Sequence, residues 1–392
     1  MSAKLRLPDH LALPALVAGA LAVAWVAVLL VGADGGASRL VHAAPPWTDP
    51  AAAPASLTIV APDDAFDGQF FYRLAVEPWS TAEQVAGIEL DLPALRHQRI
   101  GYPALAWLAS GGGAASRLPT ALVALNVVGF AALGGLGGAL ANDAGRHAGW
   151  GLLAPLYPGF VYSLAFDLAE ITALAFVLAG LLALRRRRLL VATALLAAAV
   201  LTRETTAVVP LGVAAAWGWP RYGPPGRVGR RPSFAELAPG VVPLVVALVL
   251  QVALAVAYGE LPLVSSGDKN VRIPFAGLVD GADAFWPPTS GAAVFRWLSL
   301  AALVAVVGAA GVAWRGSTRP RHEKLAWVPA VALLPLLSGF IWAGATSFMR
   351  AGTEAYVLSV LVLLGAGLPV LPAVAAGSAT LWALSAASEV GA

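Results

Sequence analysis

The chain has 392 residues, of which 59% are hydrophobic and only 12% charged, with a mean hydropathy of +0.76. That is more apolar surface than one water-soluble core buries, so an ordinary soluble domain is excluded and a membrane is the expected solvent. No cysteine is present, which excludes disulfides, thiolate zinc sites and thiol nucleophiles and leaves chemistry to carboxylates, arginine, histidine and hydroxyls. The formal charge of +3 comes mainly from short basic connections and reports orientation, not nucleic-acid binding.

At roughly 20 apolar residues per crossing, the expectation is all-α: a polytopic membrane helix bundle of about ten transmembrane helices. It forms a single integral membrane domain over residues 1–392. Within it, residues 33–117 make a long outer loop with juxtamembrane helices, 118–219 a core of short helices, and 237–371 the C-terminal spans.

The first apolar run, Leu11 to Gly32, follows Lys4 and Arg6 and reads as a retained anchor. Val41-His42-Ala43 resembles a signal cleavage site, but the core is longer than a signal peptide's. Further spans are expected over Leu118 to Leu140, Ala148 to Leu164, Leu168 to Leu184, Leu189 to Leu201, Thr206 to Trp219, Leu237 to Tyr258, Ala292 to Trp314, Leu325 to Ala345 and Tyr356 to Leu371. Several are short for lipid-facing spans and suit helices packed inside a bundle. Tyr102 to Ser110 is too short to cross and is expected to lie along the surface, while Ala373 to Ala387 is either an interfacial helix or an eleventh span.

Alternate connections collect Lys4 and Arg6, Arg146, Arg185 to Arg188, Arg221, Arg227, Arg230 and Arg231, then Arg315, Arg319, Arg321 and Lys324. These are expected to be cytoplasmic, with the Arg185 to Arg188 run as an orientation signal. In Ala33 to Ile100 acids outnumber bases, as suits the opposite face. The chain is thus expected in the cytoplasmic (plasma) membrane, N-terminus inside. Pro224-Pro225-Gly226 reads as a turn.

On this topology the ionisable residues near or inside the membrane gather on the outer side: Asp67, Asp167 and Glu170, Arg203 and Glu204, and Arg350 with Glu354. Such groups are costly unless paired or wet, so a shared polar cavity is expected there. Each also has a plainer reading. Asp67 is either the cap of an interfacial helix or a catalytic carboxylate. Asp167 and Glu170 either favour a helix N-terminus or belong to a site. Arg203 pairs with its neighbours or meets a phosphate. Arg96 to Tyr102, including Arg99, is either a basic interface facing lipid headgroups or a second phosphate contact.

Tyr102-Pro103-Ala104-Leu105-Ala106-Trp107, Arg117-Leu118-Pro119-Thr120-Ala121-Leu122 and Leu201-Thr202-Arg203-Glu204-Thr205, behind an anchor and an early acidic motif, resemble the GT-C superfamily of polyprenyl-phosphate-sugar-dependent glycosyltransferases. Phe66-Asp67-Gly68-Gln69-Phe70-Phe71-Tyr72-Arg73-Leu74-Ala75 looks like bacterial membrane proteins associated with cell-surface glycopolymer formation. The likeness covers roughly residues 10 to 215. It implies a GT-C-like inverting transferase whose active site is extracytoplasmic. Asp67 is the catalytic position, with Asp64 as second choice, and the pair holds a divalent ion (Mg or Mn) if one is used. The resemblance gives donor-phosphate binding to Arg203 alone; the residues themselves add Arg99 as a second phosphate candidate and Gln69, Tyr72, Arg73, Asp167, Glu170, Glu204 and Arg350 as supporting polar groups. The implied partners are a polyprenyl-phosphate-linked sugar, a glycan or lipid acceptor and membrane lipid, with no nucleic acid. Gly259 to Ser290 is expected to act as a lid over the acceptor. The alternatives are a transporter or flippase of a lipid-linked sugar and a non-catalytic subunit of glycopolymer assembly.

Overall fold

Some apolar stretches form continuous helices, even through Pro14, Pro239, Pro243 or Pro329, and others break. In the computed structural model, which describes residues 9–31, 34–222, 233–367 and 369–390, α1 (Asp9–Leu30) is one uninterrupted helix. Lys4, Arg6, the turn at Pro224 to Gly226, Arg227, Arg230 and Arg231 lie outside the described residues. The 34–117 segment then folds as short pieces: α2 (Gly68–Val76), a two-stranded hairpin of β1 (Gln84–Val85) and β2 (Ile88–Glu89), α3 (Pro93–His97) and α4 (Gly101–Ala109). α5 (Leu118–Asn142) follows.

The stretch expected as a span over Ala148 to Leu164 is instead a 3-10 turn, Ala148–Leu153, and a separate seven-residue α6 (Gly159–Ala165). Pro155 and Pro158 lie at the break and remove helix donors there. Then come α7 (Glu170–Arg185), α8 (Leu189–Thr202), α9 (Val208–Tyr222) and α10 (Phe234–Tyr258). α10 opens with a Ser233/Glu236 capping box and closes on left-handed Gly259. α11 (Pro262–Ser265) and α12 (Ala276–Asp280) form the next connection, followed by α13 (Gly291–Ala313). The expected span Leu325 to Ala345 is also divided, into α14 (Arg321–Leu333), a 3-10 turn at Leu334–Leu336 containing Pro335, and α15 (Gly339–Ala343). α16 (Ala345–Ala351), α17 (Thr353–Leu364) and α18 (Leu371–Val390) complete the chain.

The described residues are all-α apart from the small hairpin. Among the described residues five helices are long and apolar enough to cross a membrane: Ala12–Leu30 of α1, and α5, α10, α13 and α18. The ambiguous C-terminal run is therefore one long helix. α10 shows why lipid is a fitting solvent: only 17% of its most apolar window is buried, and Val241, Val245, Leu248, Val249, Val252 and Val256 are all exposed. α7, by contrast, is almost entirely enclosed. It packs on α5 and α8 in the main apolar core, and a second core lies beneath the 34–117 segment.

α7 also sets the distance between two charged clusters. Its 16 residues span about 24 Å at 1.5 Å per residue. At its C-terminal end Arg185 makes two parallel bonds to Glu323, at 2.6 and 2.8 Å. Arg319 caps two helix ends there, donating to the carbonyls of Leu140 (2.9 Å) and Leu361 (2.7 Å). Arg185 is thus a structural partner, whereas Arg186, Arg187 and Arg188 are exposed.

Candidate functional site

The other end of α7 carries the larger cluster, and the chain reaches it through two close backbone approaches. At Gly68, the first residue of α2, a Cβ would lie 2.5 Å from the Phe166 carbonyl oxygen and 2.7 Å from that of Val41. Only glycine lets α2 begin against the turn between α6 and α7. The contact is reinforced by Phe66, which stacks on Phe166 with centroids 4.3 Å apart. At Gly101 a Cβ would lie 2.6 Å from Thr202 Oγ1. The start of α4 therefore sits on the end of α8 and brings Arg99 to Glu204.

Asp67 precedes α2 but does not cap it with its side chain. Its Oδ1 accepts from Arg96 Nη1 at 2.9 Å and its Oδ2 from Arg350 Nη2 at 3.1 Å. Arg96 is held on its far side by Asp91, through Nε at 2.7 Å and Nη2 at 2.8 Å, and lies 4.2 Å over the Phe70 ring. Arg350 turns its Nε to Glu170 Oε1 at 2.9 Å. Glu170 also accepts from Ser163 Oγ at 3.2 Å and has Arg203 at 4.0 Å. Arg203 reaches Glu354 at 3.2 Å, and Thr205 donates to the same carboxylate at 2.6 Å. Arg99 binds Glu204 through Nε at 2.8 Å and Nη2 at 2.6 Å.

Asp67 and Arg203, 136 residues apart in sequence, thus belong to one connected array with Arg350 and Glu170 between them. Five carboxylates (Asp67, Asp91, Glu170, Glu204, Glu354) face four guanidiniums (Arg96, Arg99, Arg203, Arg350), a formal charge of one negative. Burial pushes the Asp67 carboxyl up, but Arg96, Arg350 and Arg99 outweigh it and hold the group well below the usual carboxylate range. Arg99, despite burial, is held more firmly protonated by Glu204 and Asp67.

The remaining sequence candidates stand elsewhere. Asp64 is exposed in the 3-10 turn Pro62–Asp64, outside the array. Gln69 is buried and accepts from Thr48 Oγ1 at 2.8 Å and Ala44 N at 3.3 Å, fixing the start of the 34–117 segment. Tyr72 donates to the Ala115 carbonyl at 3.1 Å. Arg73 donates to the carbonyls of Ile88 and Ala82 and ties down the hairpin. Asp167 is fully buried at φ +49°, and neither carboxyl oxygen has a partner among the described residues. Asp64 is exposed, and both Asp67 oxygens are already on guanidiniums. Among the described residues no group of three or more His, Asp or Glu side chains is arranged to hold a metal. These residues do not fit a Mg or Mn site.

Asp91 is the member that sequence reasoning missed; it and Arg96 flank Pro93 at the start of α3, a local acid–base pair that was legible in principle. Glu354 was expected in the charged group, but its partners Arg203 and Thr205 reach it only by tertiary contact.

Two hollows stand out, and the first is lined by Met349, the residue before Arg350. One, of about 230 Å³, is apolar and lined by Tyr157, Leu303, Val306, Met349 and Val374 among others. Tyr157 donates to the Met349 carbonyl at 2.5 Å, next to Arg350. The other is an open cleft of about 620 Å³ between the 259–290 connection and α15, lined by Asp268, Lys269, Arg272, Asp280 and Ser338. Trp342, beside this cleft, stacks on Phe348 with centroids 5.7 Å apart. No protein-family model, curated protein or solved structure matches the chain.

Proposed function

We propose that this chain is a membrane glycosyltransferase that moves a sugar from a polyprenyl-phosphate donor to a cell-surface glycan or lipid acceptor on the extracytoplasmic face. The observation carrying this reading is the array itself: a carboxylate on a loop and arginines from two other stretches meet at one end of the bundle, beside an apolar hollow. The resemblance of the Phe66 to Ala75 and Leu201 to Thr205 segments to GT-C enzymes supplies the reaction class.

In this reading α1, α5, α10, α13 and α18 cross the membrane, with α7, α8, α9, α14 and α17 as shorter crossings among them. The 3-10 turn at Ala148–Leu153 together with α6 makes one further, broken traverse. The basic connections, including Arg146 and Arg185 to Arg188, then face the cytoplasm of a plasma membrane and the array faces outward.

The acceptor hydroxyl oxygen attacks the anomeric carbon as its proton passes to the Asp67 carboxylate. The bond from that carbon to the phosphate oxygen breaks, and the lipid phosphate leaves with the electron pair and one more negative charge. Arg350 and Arg203 stabilise that charge in a water-poor site. Inversion follows from a single displacement. The donor lipid occupies the apolar hollow, and the acceptor approaches through the cleft under the 259–290 connection.

Transfer of labelled sugar from a polyprenyl-phosphate donor, in membranes containing native acceptor, tests the reading. Asp67→Asn is expected to lower the rate by about 10²–10⁴-fold while folding and donor binding persist. Wild-type-like transfer by this variant rejects the assigned base. Passage of lipid-linked sugar across vesicles without acceptor, and without transfer, favours a flippase instead.

A further inference from the structure

The two guanidiniums on Asp67 are held very differently. Arg96 uses all three of its nitrogens, two on Asp91 and one on Asp67, and its face covers Phe70. Arg350 has only Glu170 as a second carboxylate partner. It sits in α16, a seven-residue helix between Gly344 and Gly352. Glu170 keeps Ser163 and Arg203 close by if Arg350 turns away.

The residue before Arg350 lines the apolar hollow, together with Leu303, Val306 and Val374 from α13 and α18. A ligand with an apolar tail in that hollow brings its head to Arg350. The array is already one charge negative, so an incoming anion has no spare cation to meet. It must take a guanidinium from a carboxylate, and of the two on Asp67 Arg350 has fewer ties to lose: two carboxylate bonds with the Phe66 ring 5.3 Å away, against three bonds and the Phe70 ring at 4.2 Å for Arg96.

We infer that Arg350 is the receptor for the phosphate of an isoprenoid lipid, and that it meets this phosphate by exchanging it for Asp67. This deepens the donor-dependent reading above and rests on it. Before the lipid arrives, Asp67 is bound on both oxygens and is a poor proton acceptor. Once Arg350 has turned to the phosphate, Asp67 keeps only Arg96, with Arg99 further off and Asp91 and Glu170 beyond. Its basicity then rises at the moment the leaving group is in place. Acceptor deprotonation therefore waits for the donor.

Farnesyl phosphate is a suitable probe on the full chain in nanodiscs. Its binding is followed with radiolabelled ligand, and Asp67 reactivity by carbodiimide and glycine ethyl ester labelling read by mass spectrometry. Release of one arginine raises an aspartate's pKa by about 1–3 units, so labelling of Asp67 is expected to rise about tenfold or more. Farnesol and inorganic phosphate at the same concentration are expected to leave it unchanged. Arg350→Gln is expected to show high labelling without ligand and no response to it. Farnesyl phosphate that binds yet leaves Asp67 labelling unchanged or lowered overturns the exchange and leaves the donor site standing. Failure of farnesyl phosphate to bind overturns the exchange and the donor reading together.

Discussion

Arg203 donates from Nη2 to the backbone carbonyl of Arg350 at 2.9 Å, so one arginine of the array fixes the main chain of another 147 residues away. Arg203 is itself buried, with Glu354 at 3.2 Å and Glu170 at 4.0 Å. Its role combines charge and placement.

Removing that side chain leaves the buried Glu354 without its guanidinium partner and frees the main chain at Arg350. Arg203→Ala is expected to destabilise the protein by about 3–5 kcal/mol, the usual cost of breaking a buried pair from one side. Arg203→Lys should recover part of this, because it restores charge without the planar fork. Thermal unfolding of both variants in the same detergent checks the order.

Acid sensitivity follows from Asp67. Its folded-state pKa lies below the value of about 3.9 for an unperturbed aspartate because Arg96, Arg350 and Arg99 outweigh the effect of burial. The stabilisation is complete above the unfolded value and is lost as pH falls through it toward the folded one. Unfolding midpoints measured from pH 7 down to pH 3 should drop at the acid end, and Asp67→Asn should flatten that drop. An equal drop in both proteins would assign acid sensitivity to other carboxylates.

The approach of two carbonyls to Gly68 makes a size-sensitive point two residues from the Phe66 and Phe166 stack. Gly68→Ala forces α2 away from the turn at Phe166 and is expected to cost about 1–3 kcal/mol. It should also shift Asp67 and lower transfer more than Gly308→Ala, where no neighbour lies within 4 Å of an added Cβ.

At the far end of α7, Glu323 receives both prongs of Arg185, with Arg319 at 3.6 Å. Glu323→Gln is expected to lower stability by about 3–5 kcal/mol without altering farnesyl phosphate affinity measured below the unfolding temperature. A change in affinity at constant fold would link the two ends of α7 through the helix.

Composition and apolar length were enough to determine an all-α, membrane-type chain, since backbone polar groups in lipid are satisfied only within helices or closed barrels. Charge at alternate connections likewise picked out Asp67, Asp167, Glu170, Arg203, Glu204, Arg350 and Glu354 as one group, because isolated charges at such positions are costly; all but Asp167, which is buried without a partner among the described residues, fall in the array. Helix continuity was less legible: Ala148 to Leu164 and Leu325 to Ala345 are apolar throughout, and the breaks at Pro155, Pro158 and Pro335 are local effects that a length count passes over. Roles within the motif were not legible at all. Gln69, Tyr72 and Arg73 sit within six residues of Asp67, yet their side chains project from other faces of α2 and tie down backbone. Glu354 was expected in the group, but its pairing with Arg203 and Thr205 follows from the packing of α17 in the main core. Which carboxylate meets which guanidinium is settled by the packing of α6, α7, α8, α16 and α17 around a common point, where hydrogen-bond geometry over distances near 3 Å replaces sequence neighbourhood.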